Sequence, residues 1–465
     1  MVWSPSSASN ANPIHTQTGR RGFLQGPAAL SFSPRPRSHT IKSALTRRTA
    51  FLSAAAYSQL HGANSRISVG LIGCGNLGLR HLRIYQKPML EQGLIRIAAV
   101  SDIYSGAKRR AQDELRLEPK DVHHEYEALL ARPDLDAVLV VTPEHWHHRM
   151  TIAALRAGKD VYLEKPMSFT LAEARDIDAT VRRTGRVLQI GAQWCSDPRY
   201  TIARDLIGSG AIGPVLWAQS TYSMNSVFGL WQYDIEPEAN PRNIDWPRFL
   251  GPAPSRPFSA ERYFRWRKYW DYSNGVVADF HYHRLAPLLL ALGGRFPSLV
   301  SANGGIYQFK DRETPDTFTM TAEYGDFFLT IASSAASQGP ERHHAPAIYG
   351  HEGTLSFHDG YLALTPDRQF RKKQQERRIE APLKDLNAIR IEHARNFYDC
   401  MRTRKAPVLD SRLGYQTMAA IKLAADSYRQ RRMIAFDPAT EKILTQSPPR
   451  PGYEGDGQNF KEPTN

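Results

Sequence analysis

Cysteine is scarce in this sequence, whose 465 residues contain only Cys74, Cys195 and Cys400. Three widely separated thiols cannot form a disulfide framework or a zinc cage. Long apolar runs are also missing, and without a stretch of about 18 apolar residues no membrane span is expected. Apolar and aromatic fractions of 41% and 10% are nevertheless enough for a sizeable core, which predicts a globular protein of two or three domains.

Acidic residues are absent from residues 1–66, which contain eight Lys and Arg residues. These eight account for more than half of the net charge of +14. The remaining net charge of +6 is modest for about 400 residues, so no nucleic-acid partner is expected.

Residues 1–65 are predicted to form a leader. The segment 1–40 is rich in Ser, Pro, Asn and Gly and cannot bury enough surface to fold, so disorder is expected there. Arg47 and Arg48 then precede a short apolar segment, a pattern that resembles a twin-arginine export signal. The alternatives are an organellar transit peptide and a plain disordered extension. We therefore expect a periplasmic or otherwise exported protein, with a cytoplasmic location as the alternative.

From residue 67 short apolar runs alternate with amphipathic stretches of helical length. This alternation predicts an α/β domain over residues 66–191, a doubly wound parallel sheet with crossover helices. Beyond it, β-type runs such as TFTMTAEY and FFLTIASS precede apparent helices at 386–404 and 412–430. Residues 192–446 are therefore predicted to form an α+β domain with a mostly antiparallel open sheet, followed by an extension over 447–465. The strands predicted in the first domain are ISVGLI, IRIAAVS, AVLVV, DVYL and VLQIG.

The stretch GLIGCGNLGLRH follows the first predicted strand and places Gly73, Gly75 and Gly78 in a G-x-G-x-x-G pattern. Such glycines permit a tight turn, close approach of a pyrophosphate and close helix packing. Asp102 ends the second predicted strand, where a carboxylate accepts hydrogen bonds from ribose hydroxyls and repels a 2′-phosphate. NAD is therefore the predicted cofactor, and the basic residues 108–110 leave NADP as the alternative. A glycine turn without a ligand is the structural alternative.

Two polar motifs, TPEHWHH at 142–148 and LEKP at 163–166, follow predicted strands. Open parallel sheets bind ligands at the carboxyl ends of their strands, so both motifs are predicted to line the cofactor pocket. The histidines of the first motif are expected on an irregular loop, and because no acidic residue follows at zinc-like spacing, no metal is predicted. The cofactor-binding candidates are Gly73, Gly75, Asn76, Leu77, Gly78, Asp102, Thr142, Pro143, His147, Glu164 and Lys165.

The stretch GVVADFHYHRLAPLLLALGG places Asp279, His281 and His283 ahead of an apolar helix. Because proline is tolerated in the first turn of a helix, Pro287 predicts a helix start near residues 284–286. His283 would then lie beside a helix N-terminus, whose dipole favours a neutral ring that can accept a proton. The alternative is a core histidine that is hydrogen-bonded to Asp279.

In this order, GLIGCGNLG, TPEHWHH, LEKPM and GVVADFHYH resemble the Gfo/Idh/MocA family of nicotinamide-dependent sugar oxidoreductases, over about residues 66–440. The stretch from Asn243 to Ser273 is similar to the branch of exported members. The resemblance implies a small-molecule carbohydrate substrate. It also implies a homo-oligomer that associates through the open sheet of the second domain.

The family pattern implies that Lys165 faces the nicotinamide and the substrate, with a cis bond to Pro166. Asp279 and His283 match the family's D-x-x-x-H, in which the histidine exchanges a proton with the reacting hydroxyl and Asp279 would orient it. A further Asp that often follows is replaced here by Ala286. The catalytic candidates are therefore Lys165, His283 and Asp279, and the substrate-binding candidates are Gln193, Arg267 and His281.

The predicted function is NAD-dependent oxidation of a secondary hydroxyl of a sugar, glycoside or cyclitol. One alternative is a redox-neutral glycosidase or lyase that uses a tightly bound, transiently reduced NAD. A second alternative is a non-catalytic protein that binds a nucleotide or a sugar, because fold alone does not establish function.

Overall fold

Two β-sheets organise the chain in the computed structural model, which describes residues 66–339, 345–381 and 385–446. The first sheet lies within the predicted α/β domain and the second within the predicted α+β domain. The domain boundaries themselves stay a prediction. The predicted leader and the predicted C-terminal extension, residues 1–65 and 447–465, lie outside the described residues.

The first sheet is parallel throughout. Its strands are β1 Ile67–Ile72, β2 Ile95–Ser101, β3 Val122–His123, β4 Ala137–Val140, β5 Asp160–Glu164 and β6 Leu188–Gly191. Their order is β3-β2-β1-β4-β5-β6, so the topological switch point lies between β1 and β4. β1, β4, β5 and β6 are buried at every position, which is typical of a sheet covered on both faces. All five predicted strands are present, whereas the two-residue β3 carries no apolar run and was not predicted.

Helices connect these strands, and one of them corrects the sequence prediction. They are Asn76–Arg80, Lys87–Glu91, Ser105–Leu115, Tyr126–Leu130, Glu144–Arg156, Leu171–Thr184 and Pro198–Gly208, with a π-helical turn at His81–Tyr85. The histidines of TPEHWHH lie on the helix Glu144–Arg156, so the prediction of an irregular loop is wrong. Pro143 occupies the N-cap with an extended backbone (φ −62°, ψ 152°), and the helix therefore begins at the next residue.

The second sheet is open and almost entirely antiparallel. Its strands are β7 Val215–Thr221, β8 Leu299–Gly305, β9 Thr317–Glu323, β10 Phe328–Ser334, β11 Ala347–Gly350, β12 Gly353–His358, β13 Tyr361–Pro366, β14 Arg377–Glu380, β15 Ile434–Asp437 and β16 Lys442–Ile443. Their order is β14-β13-β12-β11-β7-β10-β9-β8-β15-β16, and only β7 and β10 are parallel neighbours among these strands. Along β9, buried Phe318, Met320 and Ala322 alternate with half-exposed residues, so one face packs on helices.

The two longest helices of the second half, Leu386–Thr403 and Ser411–Gln430, lie close to the predicted positions. The helices are Trp246–Leu250, Ala260–Phe264, Tyr282–Ala291, Leu386–Thr403 and Ser411–Gln430. Leu386–Thr403 packs on the first sheet, where the rings of Phe397 and Tyr162 are 5.9 Å apart. A helix late in the chain therefore covers the sheet built by its first strands. Among the described residues, no helix is long and apolar enough to cross a membrane.

The predicted start of the apolar helix near residues 284–286 is wrong. A π-helical turn at Val277–His281 leads directly into the helix Tyr282–Ala291, and Pro287 lies inside that helix. Proline lacks the N–H that would donate to the carbonyl of His283, four residues earlier. The proline is thus accommodated within the helix, and it did not mark the helix start.

Candidate active site

The glycine loop after β1 combines two tightly packed glycines with an open one. Gly73 has φ +96°, and a Cβ added to it would lie 2.3 Å from the Val141 carbonyl oxygen. A Cβ at Gly78 would lie 2.1 Å from the carbonyl oxygen of Gly73. At Gly75, by contrast, an added Cβ would meet no neighbouring atom of the described chain within 4 Å. Gly75 therefore faces free space where a pyrophosphate is predicted to approach.

Asp102 is fixed at the end of β2 by two backbone donors. Its Oδ2 accepts a hydrogen bond from Cys74 N at 2.7 Å, and its Oδ1 accepts one from Tyr104 N at 2.8 Å. Burial raises the pKa of the Asp102 carboxyl above its ordinary value, although both hydrogen bonds oppose the shift. The carboxylate thus joins the glycine loop to the loop after β2.

A cavity of about 400 Å³ lies along these loops. The predicted residues in its wall are Gly73, Gly75, Asn76, Leu77, Asp102, Thr142, Pro143 and Arg267. Residues from later in the chain that line it include Tyr233, Glu236, Phe249, Tyr263 and Trp266. Free space at Gly75 beside a fixed carboxylate at a strand end suits a dinucleotide with two ribose hydroxyls at that end. The residues present therefore fit the cofactor that the sequence predicts.

His147 is not among the residues described as lining the cavity, but it contacts two loops beside it. Its two ring nitrogens lie 2.6 Å from the carbonyl oxygen of Pro166 and 2.8 Å from that of Thr142. Burial lowers the pKa of this imidazole. The ring thus connects the loop after β4 with the loop after β5. A contact between His147 and the cofactor is still a prediction.

Glu164 is anchored by a chain of buried polar side chains. Its Oε1 lies 2.8 Å from His81 Nε2, Gln86 Nε2 lies 3.3 Å from His81 Nδ1, and the Tyr398 hydroxyl donates to Gln86 at 2.8 Å. Burial acts to raise the pKa of Glu164, but the hydrogen bond and charge of His81 outweigh it and lower the value. The residue before Lys165 is thus a fixed carboxylate.

Lys165 and Asp279 form a largely buried ion pair just after β5, with side chains 8% and 15% exposed. Lys165 Nζ donates to the Asp279 carboxylate and, at 3.0 Å, to the Asp279 carbonyl oxygen. Trp231 Nε1 donates to the other carboxylate oxygen at 2.9 Å, and Arg267 Nε lies 3.7 Å from the first. Burial would raise the pKa of Asp279, but Lys165 and Arg267 outweigh it and hold the pKa well below its ordinary value. The Lys165–Pro166 bond is cis, as the resemblance implies.

His283 is neutral near pH 7, but for a different reason from the one predicted. Burial and the Lys165 cation lower the pKa of His283 well below its ordinary value. The helical segment already begins at Val277, so His283 does not lie beside its N-terminus as expected. No hydrogen bond joins His283 to Asp279 among the described residues, so the expected orientation of His283 by Asp279 is not seen; the Asp279 carboxylate accepts from Lys165 and Trp231 instead. His283 Nδ1 is buried and has no hydrogen-bond partner in the described part of the chain.

The three predicted substrate-binding residues fall in different places. Arg267 lines the cavity, and its guanidinium lies 4.2 Å from the Trp266 ring. Gln193 is buried and begins a 3₁₀ turn after β6. His281 is fully buried, with its ring 5.6 Å from that of Phe318, and burial lowers its pKa to about 3. This burial argues against a substrate contact for His281.

Trp231 and Glu236 are site residues that sequence reasoning missed. Trp231 has a left-handed backbone (φ +68°), which is rare for a bulky residue, and its indole N–H donates to Asp279. Glu236 lines the cavity. Neither residue belongs to a recognisable spacing pattern, and both reach the site through tertiary folding. The richness of residues 231–273 in Trp and Arg is the sequence signal in this region.

Glu144 is a buried carboxyl that ties the first helix after β4 to the segment before Asp279. It accepts hydrogen bonds from Ser273 Oγ at 2.6 Å and from Asn274 N at 3.0 Å. Burial raises its pKa to about 7 despite both bonds. The folded protein therefore holds this proton more tightly than the unfolded chain does.

Replacing Glu144 with Gln is expected to flatten the pH dependence of stability. The pKa of Glu144 is about 7 in the folded protein, above its ordinary value of 4.5. The protonated carboxyl therefore stabilises the folded protein fully below pH 4.5, and this stabilisation is lost as the pH rises to 7. The loss is on the order of 3 kcal/mol. Denaturant unfolding of the two proteins across this range measures it. The exposed Glu91→Gln serves as control, and an unchanged slope in Glu144→Gln would contradict the assignment.

A doubly wound sheet whose glycine loop and strand-end carboxylate border a dinucleotide-sized cavity defines the class of Rossmann oxidoreductases. The chain belongs to the Gfo/Idh/MocA oxidoreductase family. Residues 67–192 match the family's NAD-binding Rossmann domain, and residues 204–448 match its C-terminal alpha/beta domain.

Curated relatives share part of the sequence. The inositol 2-dehydrogenase of Salmonella typhimurium is 32% identical over 151 residues, which are 32% of this chain and 44% of that protein. The scyllo-inositol 2-dehydrogenase (NAD(+)) of Bacillus subtilis is 32% identical over 148 residues, 31% of this chain and 43% of that protein. The chain thus spans less than half the length of these relatives.

Solved structures share the fold over most of the chain. An oxidoreductase domain protein from Kribbella flavida has a TM-score of 0.62 at 22% identity, covering 79% of this chain and 98% of its own. Levoglucosan dehydrogenase in complex with NADH and levoglucosan has a TM-score of 0.60 at 19% identity, covering 82% of this chain and 99% of its own. At these identities the likeness concerns the fold.

Proposed function

We propose that the protein oxidises a secondary hydroxyl of a sugar, glycoside or cyclitol, with NAD as the hydride acceptor. The observation that carries the proposal is the largely buried Lys165–Asp279 ion pair after β5, whose charges act on the pKa of His283, four residues after Asp279. Relatives named inositol 2-dehydrogenase support a cyclitol or sugar as the substrate class.

The three side chains take separate roles in this proposal. The neutral ring of His283 accepts the proton of the reacting hydroxyl. The Lys165 ammonium stabilises the negative charge that develops on the substrate oxygen. Asp279 stays ionised and positions Lys165, because its pKa is held well below the ordinary value. Trp231 and Arg267 in turn hold the Asp279 carboxylate from two further directions.

The residues that would hold the dinucleotide line the cavity. The glycine loop at Gly73–Leu77 would receive the pyrophosphate, Asp102 the ribose hydroxyls, and Thr142 and Pro143 the portion nearer the ion pair. When bound, the nicotinamide supplies the hydride acceptor.

The proposal is tested by the absorbance of reduced nicotinamide. Purified protein is mixed with NAD⁺ and a panel of cyclitols, monosaccharides and glycosides. Multiple-turnover accumulation of NADH would identify a net dehydrogenase and its substrate. Absence of both NADH formation and substrate loss across the panel would contradict the proposal and favour a binding protein.

A redox-neutral glycosidase or lyase is the second candidate, and the proposed export favours it. An exported enzyme would have to exchange its cofactor in every turnover without the cytoplasmic NAD pool. A recycled cofactor avoids that step. Disappearance of a glycoside with at most one enzyme equivalent of NADH, together with NAD released on denaturing the purified protein, would support this candidate.

Replacing Trp231 with Phe is expected to lower kcat about tenfold with little change in NAD⁺ affinity. The change keeps an aromatic ring but removes the N–H that donates to Asp279, a hydrogen bond to a charged acceptor. Steady-state kinetics on the substrate found in the panel measures the effect. Trp217→Phe is the control, because Trp217 stacks on Tyr349 at 4.0 Å in the second sheet. Unchanged kcat in Trp231→Phe would remove Trp231 from the site.

Export and oligomerisation are proposals that follow the family resemblance. The Arg47–Arg48 pattern and the stretch Asn243–Ser273 support a twin-arginine export signal. Accumulation of the Arg47→Lys/Arg48→Lys variant inside the cell would support it, and unaltered export would contradict it.

The open second sheet, where Phe328 is 41% exposed, supports a homo-oligomer, and a monomer mass in light scattering would contradict it.

A further inference from the structure

A second carboxylate, that of Glu236, lies near Asp102 in the cavity wall. Glu236 forms a two-pronged ion pair with Arg110, with N–O distances of 2.7 and 2.8 Å. Its Oε2 also accepts a hydrogen bond from the Tyr104 hydroxyl at 2.6 Å. Tyr104 is the residue whose backbone N–H fixes Asp102. Glu236 is thus bound to the same loop that carries the predicted ribose ligand.

Backbone contacts fix the segment that carries Glu236. Hydrogen bonds of 2.9 and 3.1 Å join residues 103–105 to residues 243–245, in an isolated antiparallel bridge. The rings of Tyr263 and Phe264 each lie 6.0 Å from the Tyr104 ring and cover it. The ion pair is therefore part of a packed contact between two segments, unlike a pair of freely moving surface side chains.

Arg110 is a cation in the cavity wall that could bind a 2′-phosphate. Of the basic residues 108–110, it is the one that lines the cavity within the described chain. An arginine binds phosphate through two parallel N–H donors, the same donors that Glu236 now occupies. To bind a 2′-phosphate, Arg110 would have to leave Glu236, and the released carboxylate would then repel the phosphate.

We propose that Glu236 is a second determinant of dinucleotide choice in this protein. By engaging Arg110 it withholds the guanidinium from a 2′-phosphate and reserves the site for NAD, in addition to the effect of Asp102. The inference rests on the proposed function in one respect: the cavity must bind a nicotinamide dinucleotide.

Replacing Glu236 with Gln tests the proposal by direct binding. The change keeps the size of the side chain and removes the charge that holds Arg110. We expect the Kd of NADP⁺ to fall about tenfold or more, while the Kd of NAD⁺ stays within about threefold. Isothermal titration of the full-length variant with NAD⁺ and NADP⁺, each alone, measures both constants.

Two variants separate this mechanism from a general change of charge. Glu238→Gln removes the same charge from an exposed residue of the same segment, and its NADP⁺ affinity is expected to match the wild type. In the double variant Arg110→Gln/Glu236→Gln, the gain in NADP⁺ affinity is expected to disappear. Where Glu236→Gln fails to fold, Glu236→Asp withdraws the carboxylate by one methylene and is expected to shift NADP⁺ affinity in the same direction.

The outcomes that overturn the inference are distinct. Unchanged NADP⁺ affinity in Glu236→Gln, an equal gain in Glu238→Gln, or a gain that persists in the double variant would each contradict the role of Glu236. If the wild type binds NAD⁺ and Glu236→Gln shows no gain, the proposed function stands and this inference fails. A wild type that binds neither dinucleotide would overturn both.

Discussion

Replacing Lys165 with Ala is expected to lower kcat about a thousandfold, while NAD⁺ affinity stays within about threefold of the wild type. Lys165 Nζ points at Asp279, and the residue is not among those that line the cavity in the described chain. The loss should therefore fall on the chemical step. Steady-state kinetics and calorimetric NAD⁺ binding separate the two effects.

The size of this effect follows from the charges around Asp279. Without Lys165, the largely buried Asp279 carboxylate keeps Trp231 and Arg267, the latter at 3.7 Å. In the proposed mechanism its negative charge would then face the substrate oxygen on which more negative charge develops. The substitution thus removes a stabilising cation and leaves a destabilising anion. Lys165→Arg keeps the positive charge but spreads it over a planar guanidinium, so only a partial recovery of kcat is expected.

The matched control is Lys87→Ala on the surface of the same domain. Lys87 is exposed and pairs loosely with Glu91 at 3.7 Å, so wild-type kinetics are expected. Full turnover by Lys165→Ala would contradict a catalytic role. Loss of NAD⁺ binding would instead assign Lys165 to cofactor binding.

The elements that the sequence predicted well are those specified by local patterns. Strands such as β4 and β5 are short apolar runs because both faces of their sheet are buried, and burial of that kind leaves a visible trace. Asp102 could be located because it ends such a strand after a glycine loop. The helices Leu386–Thr403 and Ser411–Gln430 were likewise found within one residue of their bounds.

The features that the sequence did not predict depend on contacts between distant residues. Tyr104 and Glu236 are 132 positions apart, and Lys165 and Asp279 are 114 apart. The π-helical turn at Val277–His281 also lacks a sequence signature, and it displaced the predicted helix start. Family resemblance supplied Asp279, whereas Glu236 had neither a motif nor a resemblance to reveal it. Tertiary packing alone brings that carboxylate to Arg110.

Replacing Gly73 with Ala is expected to destabilise the fold by roughly 3 kcal/mol. Alanine strongly disfavours the Gly73 backbone conformation (φ +96°), and its Cβ would lie 2.3 Å from the Val141 carbonyl oxygen. Denaturant unfolding measures the loss. Unaltered stability would show that the loop can rearrange around the added methyl group.

Gly75→Ala is expected to give the opposite result: normal stability but NAD⁺ affinity lowered more than about tenfold. Gly75 has φ −67° and ψ −169°, a conformation that alanine adopts freely, and its added Cβ would meet no described neighbour within 4 Å. The methyl group would occupy the space that we assign to the pyrophosphate. The pair of glycines thus separates a structural from a binding role within one loop. If Gly75→Ala retained both its stability and its full NAD⁺ affinity, the free space at Gly75 would not be the pyrophosphate site, and the loop would be a structural turn.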